Sequence, residues 1–218
     1  MCPPLKAQRG TVLLDPITMV PIRKTFCSLS VVLACILAAQ TTLAQRQQPP
    51  PPVQTSFGTE TPIKHPTKIP ADVLTQLLKE NGEQIARCEE INPRHLPPSK
   101  YFIAASIDIN GDGLPDLVVQ AGEFCLRGAH NTPFWIFTKL PRDFEGGYQL
   151  VFKTQTDWLD IRKTSTNGYR DIADMGHTAV LVFTTILKFD GQKYQPRTCT
   201  VEDLRTKRVT RVACNPLE

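Results

Sequence analysis

The chain has 218 residues, with 25 Lys or Arg and 21 Asp or Glu, so its formal net charge is +4. Residues 1–44 contain four of the basic residues and one of the acids, which leaves 21 basic and 20 acidic groups in the rest, a net charge of +1. Because no polybasic stretch is present, the composition argues against binding to nucleic acid or to an anionic lipid surface.

The first 44 residues have the pattern of a secretory signal peptide. Arg23-Lys24 precedes an apolar run from Phe26 to Ala39, and Thr42-Leu43-Ala44 forms a small-x-small cleavage site. The apolar run is too short to span a membrane. We therefore expect bacterial export to the periplasm or the extracellular space, with no transmembrane span in the mature form. Two alternatives are a true start at Met19 and lipoprotein cleavage before Cys35.

Residues 45–69 are predicted to be a disordered linker. They contain a proline run at 49–52 and further prolines at positions 62 and 66. Such a segment favours the extended polyproline II conformation and offers little apolar surface to bury. The remaining residues, 70–218, are the right number for a single domain.

The domain is predicted to be α+β and mostly β. Pro70 and the helical spacing of Val73, Leu77 and Leu78 predict an N-terminal helix, which Asn81-Gly82 can divide into two short ones. Short apolar runs separated by turns every eight to twelve residues then predict antiparallel β-meander sheets. The runs are 101–107, 117–120, 134–138, 148–152, 158–161, 179–189 and 193–195, followed by an exposed basic edge strand at 205–211.

Four cysteines follow the signal segment, and in an exported chain they predict two disulfides. The sequence leaves all three connectivities open. The candidates are Cys88, Cys125, Cys199 and Cys214.

One short stretch, residues 108–116, carries the most specific chemistry. It places side-chain oxygens at positions 1, 3, 5 and 9 of a loop and a main-chain carbonyl at position 7, which is the spacing that wraps calcium. Gly113 at position 6 permits the sharp turn that such a loop needs. The candidate ligands are Asp108, Asn110, Asp112, Leu114 and Asp116, and calcium is the expected ion.

The residue at position 12 of this loop separates it from an EF-hand. That position holds Val119, within a strand-like run, where an EF-hand has a bidentate Glu before a helix. The pattern D-x-N-G-D-G-x-x-D-L at 108–117 resembles the calcium loop of FG-GAP (integrin-type) and VCBS repeats. That resemblance implies a structural ion that ties strand ends together. A degenerate copy at 164–172 suggests two related units, resembling one or two propeller-type blades.

A second resemblance covers roughly residues 70–200. The segments C-L-x-G-A-x-x-x-P-F-W-I-F, T-x-T-N-G-Y-R-D-I and F-D-G-x-x-Y resemble a family of small exported bacterial proteins of uncharacterised function. This resemblance implies an exported single-domain protein and implies no activity.

The absence of recognisable catalytic motifs favours a non-enzymatic role. No G-x-S-x-G or H-E-x-x-H motif is present. We therefore predict a monomeric, calcium-binding interaction module of the cell envelope, whose partner is a protein or an envelope polymer. Its expected contact surface is the two segments Gly122–Pro133 and Tyr169–His177, read as loops on a rigid sheet.

The sequence leaves three alternatives to this prediction open. The first is a calcium-dependent hydrolase of envelope or extracellular polymer, which a cleft holding two carboxylates would favour. The second is a transition-metal site formed by histidines, and the third is a purely structural envelope protein without a concave site. The candidate acids are Asp157, Asp160, Asp171 and Asp174, and the candidate histidines are His95, His130 and His177.

Overall fold

The computed structural model describes residues 53–91, 96–128, 130–141 and 147–214. These residues form two antiparallel β-sheets and two α-helices, so the fold is α+β and mostly β, as predicted. The predicted signal peptide, the polyproline run at 49–52 and His95 lie outside the described residues.

The first sheet has four strands in the order β2-β3-β4-β5, an antiparallel meander. Its central strand β3 is buried on both faces, because layers of the domain cover it from both sides. The strands are β2 (Phe102–Ile107), β3 (Asp116–Ala121), β4 (Thr132–Lys139) and β5 (Tyr148–Thr156).

The second sheet has six strands in the order β1-β6-β7-β8-β9-β10. The chain passes from the first sheet to the second through a single residue, Asp157. The edge strand β10 is exposed at every position, which confirms the edge strand predicted from the basic C-terminal stretch. The strands are β1 (Ser56–Gly58), β6 (Trp158–Thr166), β7 (Tyr169–His177), β8 (Leu181–Phe189), β9 (Tyr194–Asp203) and β10 (Arg208–Val212).

Two hydrophobic clusters hold the layers together. One lies between the sheets and joins Val118 and Phe134 of the first sheet to Leu159 and Ile172 of the second. The other lies on the opposite face of the first sheet, where strand residues such as Phe137 meet the helices. Because side chains alternate between the two faces of a strand, the first sheet contributes to both clusters.

The predicted N-terminal helix is divided into two, α1 (Ala71–Glu80) and α2 (Gly82–Ile91). Asn81 separates them, and its main-chain and side-chain N–H groups both donate to the carbonyl of Leu77. Val73 and Leu77, one turn apart, are buried against the first sheet. The alternative of two short helices is therefore the observed one.

The predicted linker needs a correction over residues 53–69. Ser56–Gly58 pairs with Asp160–Trp158 of β6, and Phe57 is completely buried between the sheets. Thr67 bridges to Ala104 and so covers the outer edge of β2. The proline content concealed two buried apolar side chains, Phe57 and Ile63, which supply the burial that a disordered segment lacks.

Two further predictions differ from the structure in the second sheet. The degenerate loop copy at 164–172 is a β-hairpin whose turn residues, Asn167 and Gly168, have φ of 51° and 82°. Both angles are those of a tight two-residue hairpin turn, which Asn-Gly favours. Tyr169–His177, predicted as a contact loop, is strand β7.

Two disulfides join the four predicted cysteines among the described residues. Cys88 of α2 bonds to Cys125, and Cys199 of β9 bonds to Cys214 just after β10. The prediction of two disulfides is thus confirmed, and the connectivity that the sequence left open is resolved. Within the described part of the chain, no helix is long and apolar enough to cross a membrane.

Candidate functional site

Two regions bring polar side chains together, and the first is the loop at 108–116. Gly111 and Gly113 have φ of 74° and 78°, a conformation that side chains disfavour, so the two glycines allow the loop to turn. The Asp108 carboxylate accepts hydrogen bonds from the amides of Gly111 (2.7 Å) and Gly113 (3.1 Å). Asp112 accepts one from the amide of Leu114 at 2.7 Å. The loop is therefore shaped by its own carboxylates.

Asp116 attaches this loop to the rest of the fold. Its side chain is completely buried, and its two oxygens accept the amide hydrogens of Ile109 (2.9 Å) and Lys139 (2.7 Å). Burial raises the pKa of Asp116 to about 6, against the opposing effect of those two hydrogen bonds and with a small contribution from the charges of Asp112 and Asp108. One carboxylate thus joins the loop to the end of β4.

The loop also contacts the second sheet. The amide of Arg170, in β7, donates to the carbonyl of Ile109 at 2.8 Å. The hydroxyl of Tyr148, in β5, donates to the carbonyl of Pro115 at 3.0 Å. The loop is therefore hydrogen-bonded to both sheets.

The five predicted calcium ligands all lie in this loop, and their donor atoms are oxygens, which suit calcium. In the described conformation the carboxylate oxygens accept hydrogen bonds, mainly from main-chain amides. Within the described ranges, no group of three or more His, Cys, Asp or Glu side chains is placed to hold a metal ion. Calcium binding by this loop stays a prediction.

The second polar region is an open cleft of about 500 Å³ beside the crossing between the sheets. A smaller cavity of about 120 Å³ adjoins it and shares His130, Asp157 and His177 with it. Asp157, the only residue between β5 and β6, lies at the point where the two sheets separate.

Strand register explains the floor of this cleft. Ile172 of β7 pairs with Leu187 of β8, and both are completely buried between the sheets. Two residues farther along, on the same face, Asp174 pairs with Thr185, and then Gly176 pairs with Phe183. These two pairs line the cleft, so the inner face of the second sheet continues past its covered core into the cleft.

Asp157 and His177 form a hydrogen-bonded pair at the rim. Asp157 is only 6% exposed, and its Oδ2 accepts from the main-chain amide of His177 (2.7 Å) and lies 2.6 Å from its Nδ1. A carboxylate at this position favours a proton on Nδ1, which leaves Nε2 of the neutral ring as an acceptor. The rings of Trp158 and His130 lie 5.1 Å and 6.0 Å from that of His177, measured between centroids.

Asp174 supplies a second carboxyl group to the cleft. Its Oδ2 accepts a hydrogen bond from the hydroxyl of Thr154 at 2.6 Å. Burial raises the pKa of Asp174, the hydroxyl bond opposes the shift, and the nearby charge of Asp157 adds to it. The cleft therefore contains one carboxylate fixed to a histidine and another that holds its proton more tightly than usual.

The predicted acids and histidines divide into two groups. Asp157, Asp174, His130 and His177 come together in the cleft, whereas Asp160 and Asp171 do not line it. Asp171 is buried in the β6–β7 hairpin, where it accepts the hydroxyls of Thr164 and Thr166.

Sequence reasoning missed the pairing of Asp157 with His177 and the parts played by Thr154, Trp158 and Phe183. A partial signal was present, because the two-residue turn at Asn167-Gly168 pairs Thr166 with Tyr169 and Ser165 with Arg170. The register then shifts between Ile161 and Ser165, so the turn alone does not fix which residues meet at the start of β6. Reading the turn as a degenerate calcium loop concealed the hairpin.

In structural terms these features define a disulfide-linked α+β domain with an open polar cleft where its two sheets diverge. Comparison with family models, with curated proteins and with solved structures gave no match. The resemblance of the loop at 108–116 to FG-GAP and VCBS repeats stays a prediction, as does the likeness to small exported bacterial proteins.

Proposed function

We propose that this protein is an exported binding module of the cell envelope that holds its ligand in the cleft beside Asp157. The observation that supports the proposal is the continuation of the β7–β8 face past the covered core, which presents polar and aromatic side chains on strands. Side chains held on strands are more precisely positioned than side chains on loops. The two disulfides agree with an oxidising, exported location.

Both segments that the sequence nominated for contact reach this cleft. Gly122–Pro133 contributes His130, and Tyr169–His177 contributes Asp174 and His177. The partner in this proposal is a protein or an envelope polymer, and the binding unit is one copy of the chain.

The binding test uses purified peptidoglycan sacculi as the first polymer and measures co-sedimentation of residues 45–218. His177→Ala should reduce binding about tenfold, which corresponds to the loss of one hydrogen bond to a charged group. His65→Ala is the matched control, since His65 is exposed and does not line the cleft. If the two histidine variants bind equally for every envelope polymer and protein tested, the cleft is not the binding site.

The same proposal includes a structural calcium ion at 108–116. Its support is the oxygen-only donor set of Asp108, Asn110, Asp112, Leu114 and Asp116. When bound, the ion would offset most of the charge of the three neighbouring carboxylates and hold the loop that contacts both sheets through Ile109 and Pro115.

Thermal unfolding with calcium and with excess chelator tests the ion. A ligand that binds only the native state adds about 2.7 kcal/mol at a hundredfold excess over its Kd, or several degrees in Tm. Asp112→Ala should abolish that difference. Asp190→Ala, in an exposed turn elsewhere, is the control and should keep it. An equal Tm in calcium and chelator would reject the ion and leave the cleft unaffected.

A second function, hydrolysis of an envelope or extracellular polymer, is favoured by one observation. The cleft contains two carboxyl groups with different environments, Asp157 beside a histidine and Asp174 with a raised pKa. Such a pair can divide the roles of base and acid. His177, held through Nδ1 by Asp157, would take a proton from water on Nε2, and Asp174 would donate one to the leaving oxygen.

Reducing-end release from polymer substrates separates the two functions. If the protein is a hydrolase, Asp174→Asn should abolish release even at polymer concentrations that saturate its co-sedimentation. If it is a binding module, wild type itself releases no product from a polymer that it binds.

A further inference from the structure

We infer that the cleft takes a cationic group, a protonated amine or a guanidinium, from its ligand. The inference rests on the proposed function, since it names the chemistry of a ligand in that same cleft. It rests on three observations: an open hydrogen-bond acceptor on Asp157, the negative charges around that acceptor, and the exposed ring of Phe183 beside it.

The open acceptor belongs to Asp157. Both hydrogen bonds from His177 reach Oδ2, and no donor among the described residues reaches Oδ1. The residue is more than nine-tenths buried, yet none of the described side-chain oxygens is both fully buried and unpartnered. Oδ1 is therefore open to the cavities that Asp157 lines, and it accepts only from something that enters them.

The charges around Asp157 favour a cation. Asp174 lines the same cleft and Glu60 lines the adjoining cavity, whereas no Lys or Arg is found among the described residues that line either one. Asp157 is more than nine-tenths buried, and its ion-pair partner among the described residues is the ring of His177, 2.6 Å from Oδ2, which leaves Oδ1 without a positive partner. A ligand cation would supply the missing charge and would also relieve the repulsion between Asp157 and Asp174. The same carboxylates would repel an anionic ligand.

Phe183 gives the cleft a surface for the rest of the ligand. Its side chain is 42% exposed and stands on the floor opposite Gly176, which has no side chain to cover the ring. An alkyl stem or a sugar ring can pack on such a face, and a cation near it gains a cation–π contribution. Thr185 and Gln155 add neutral hydrogen-bonding groups nearby.

Two sources could present such a group: a basic side chain of a protein partner, or an amino sugar of a polymer. Three soluble probes distinguish them: hexalysine, a glucosamine hexamer and the fully N-acetylated form of that hexamer. The two sugars have the same backbone and differ in the charge of their nitrogens. A hexaglutamate peptide serves as the anionic control.

Titration calorimetry on residues 45–218 measures each affinity. The glucosamine hexamer, hexalysine or both should bind at least tenfold more tightly than the N-acetylated hexamer, and hexaglutamate should not bind. Asp174→Asn should weaken cation binding about tenfold, the effect of one lost charge-assisted hydrogen bond. Asp160→Asn, outside the cleft on the same sheet, should leave it unchanged. Phe183→Ala should also weaken it, and it keeps the test valid if Asp174→Asn is unstable.

Three other outcomes would overturn the inference, and they distinguish a wrong ligand charge from a wrong binding site. Equal affinity for the charged and N-acetylated hexamers, with loss of both in Phe183→Ala, rejects a cationic ligand and keeps the cleft as a binding site. Cation binding unchanged in Asp174→Asn and Phe183→Ala rejects the cleft itself, and with it the proposed function. Binding of hexaglutamate also overturns the inference.

Discussion

The loop at 108–116 and the cleft beside Asp157 are both built from carboxylates, but they are assembled in different ways. In the loop, the hydrogen bonds from main-chain amides to the carboxylates join residues two to seven apart, except for the bond from Lys139. The bonds from Arg170 and Tyr148 to loop carbonyls attach the loop to the two sheets. In the cleft, Asp157 and His177 are 20 residues apart, as are Thr154 and Asp174. The loop is thus a local structure, whereas the cleft exists only when strands pair in one register.

This difference teaches where sequence patterns carry information. A local site leaves a spacing that can be read, because the same few residues form the turn and supply the ligands. A site across strands leaves no fixed spacing, because hairpin geometry and a bulge decide which residues meet. β6 and β7 contain such an irregularity between Ile161 and Ser165.

The largest effect is expected in the loop. Asp116→Ala should lower the free energy of unfolding by about 3 kcal/mol, because the buried amide of Ile109 and the part-buried amide of Lys139 both lose their acceptor. Urea denaturation without calcium measures the loss. Asp112→Ala, at an exposed position, should cost less than about 1 kcal/mol under the same conditions. Equal losses in the two variants would show that Asp116 does not anchor the loop.

A smaller effect is expected at the rim of the cleft. Asp157→Ala should lower the free energy of unfolding by about 2 kcal/mol, since the amide and ring of His177 lose their acceptor at the crossing between the sheets. His177→Ala removes only an exposed ring and should cost less than about 1 kcal/mol. The reverse order of losses would place the structural role on the histidine and contradict the assignment of Asp157.

The smallest effect concerns pH and the second carboxyl. The raised pKa of Asp174 means that the native state binds its proton more tightly than the unfolded state, whose aspartates titrate at about pH 3.9. Below that pH both states are protonated, and Asp174 costs nothing. As pH rises through the unfolded and then the native pKa, the contribution of Asp174 to stability falls.

Asp174→Asn should remove this loss. Relative to wild type, the variant should gain stability as pH rises from about 3.9, the unfolded value, through the native pKa of Asp174. Urea midpoints at three pH values follow the difference, with Asp160→Asn as the control for a carboxylate outside the cleft. A difference that does not change with pH would mean that burial does not shift the pKa of Asp174.

Much of the fold could be predicted because local patterns specify it. The N-terminal helical segment, the antiparallel meander and a basic C-terminal edge strand follow from residue spacing and turn residues, whereas the division of the helix at Asn81 was one of two outcomes left open. The predicted linker shows the limit, since Phe57 has no pattern around it and is buried only because β6 supplies a partner. Proline-rich composition therefore gave no indication of the buried residues Phe57 and Ile63.

The amino-acid sequence alone determined the α+β class, the number of disulfides, and the side-chain and main-chain oxygens in the loop at 108–116. These features depend on composition or on neighbours along the chain. Tertiary structure alone decided the disulfide connectivity, the return of residues 56–58 to the second sheet, and the meeting of Asp157, Asp174 and His177 in one cleft. The physical reason is that strand register and the packing of two sheets are collective choices, made by all the paired residues together and carried by no short segment.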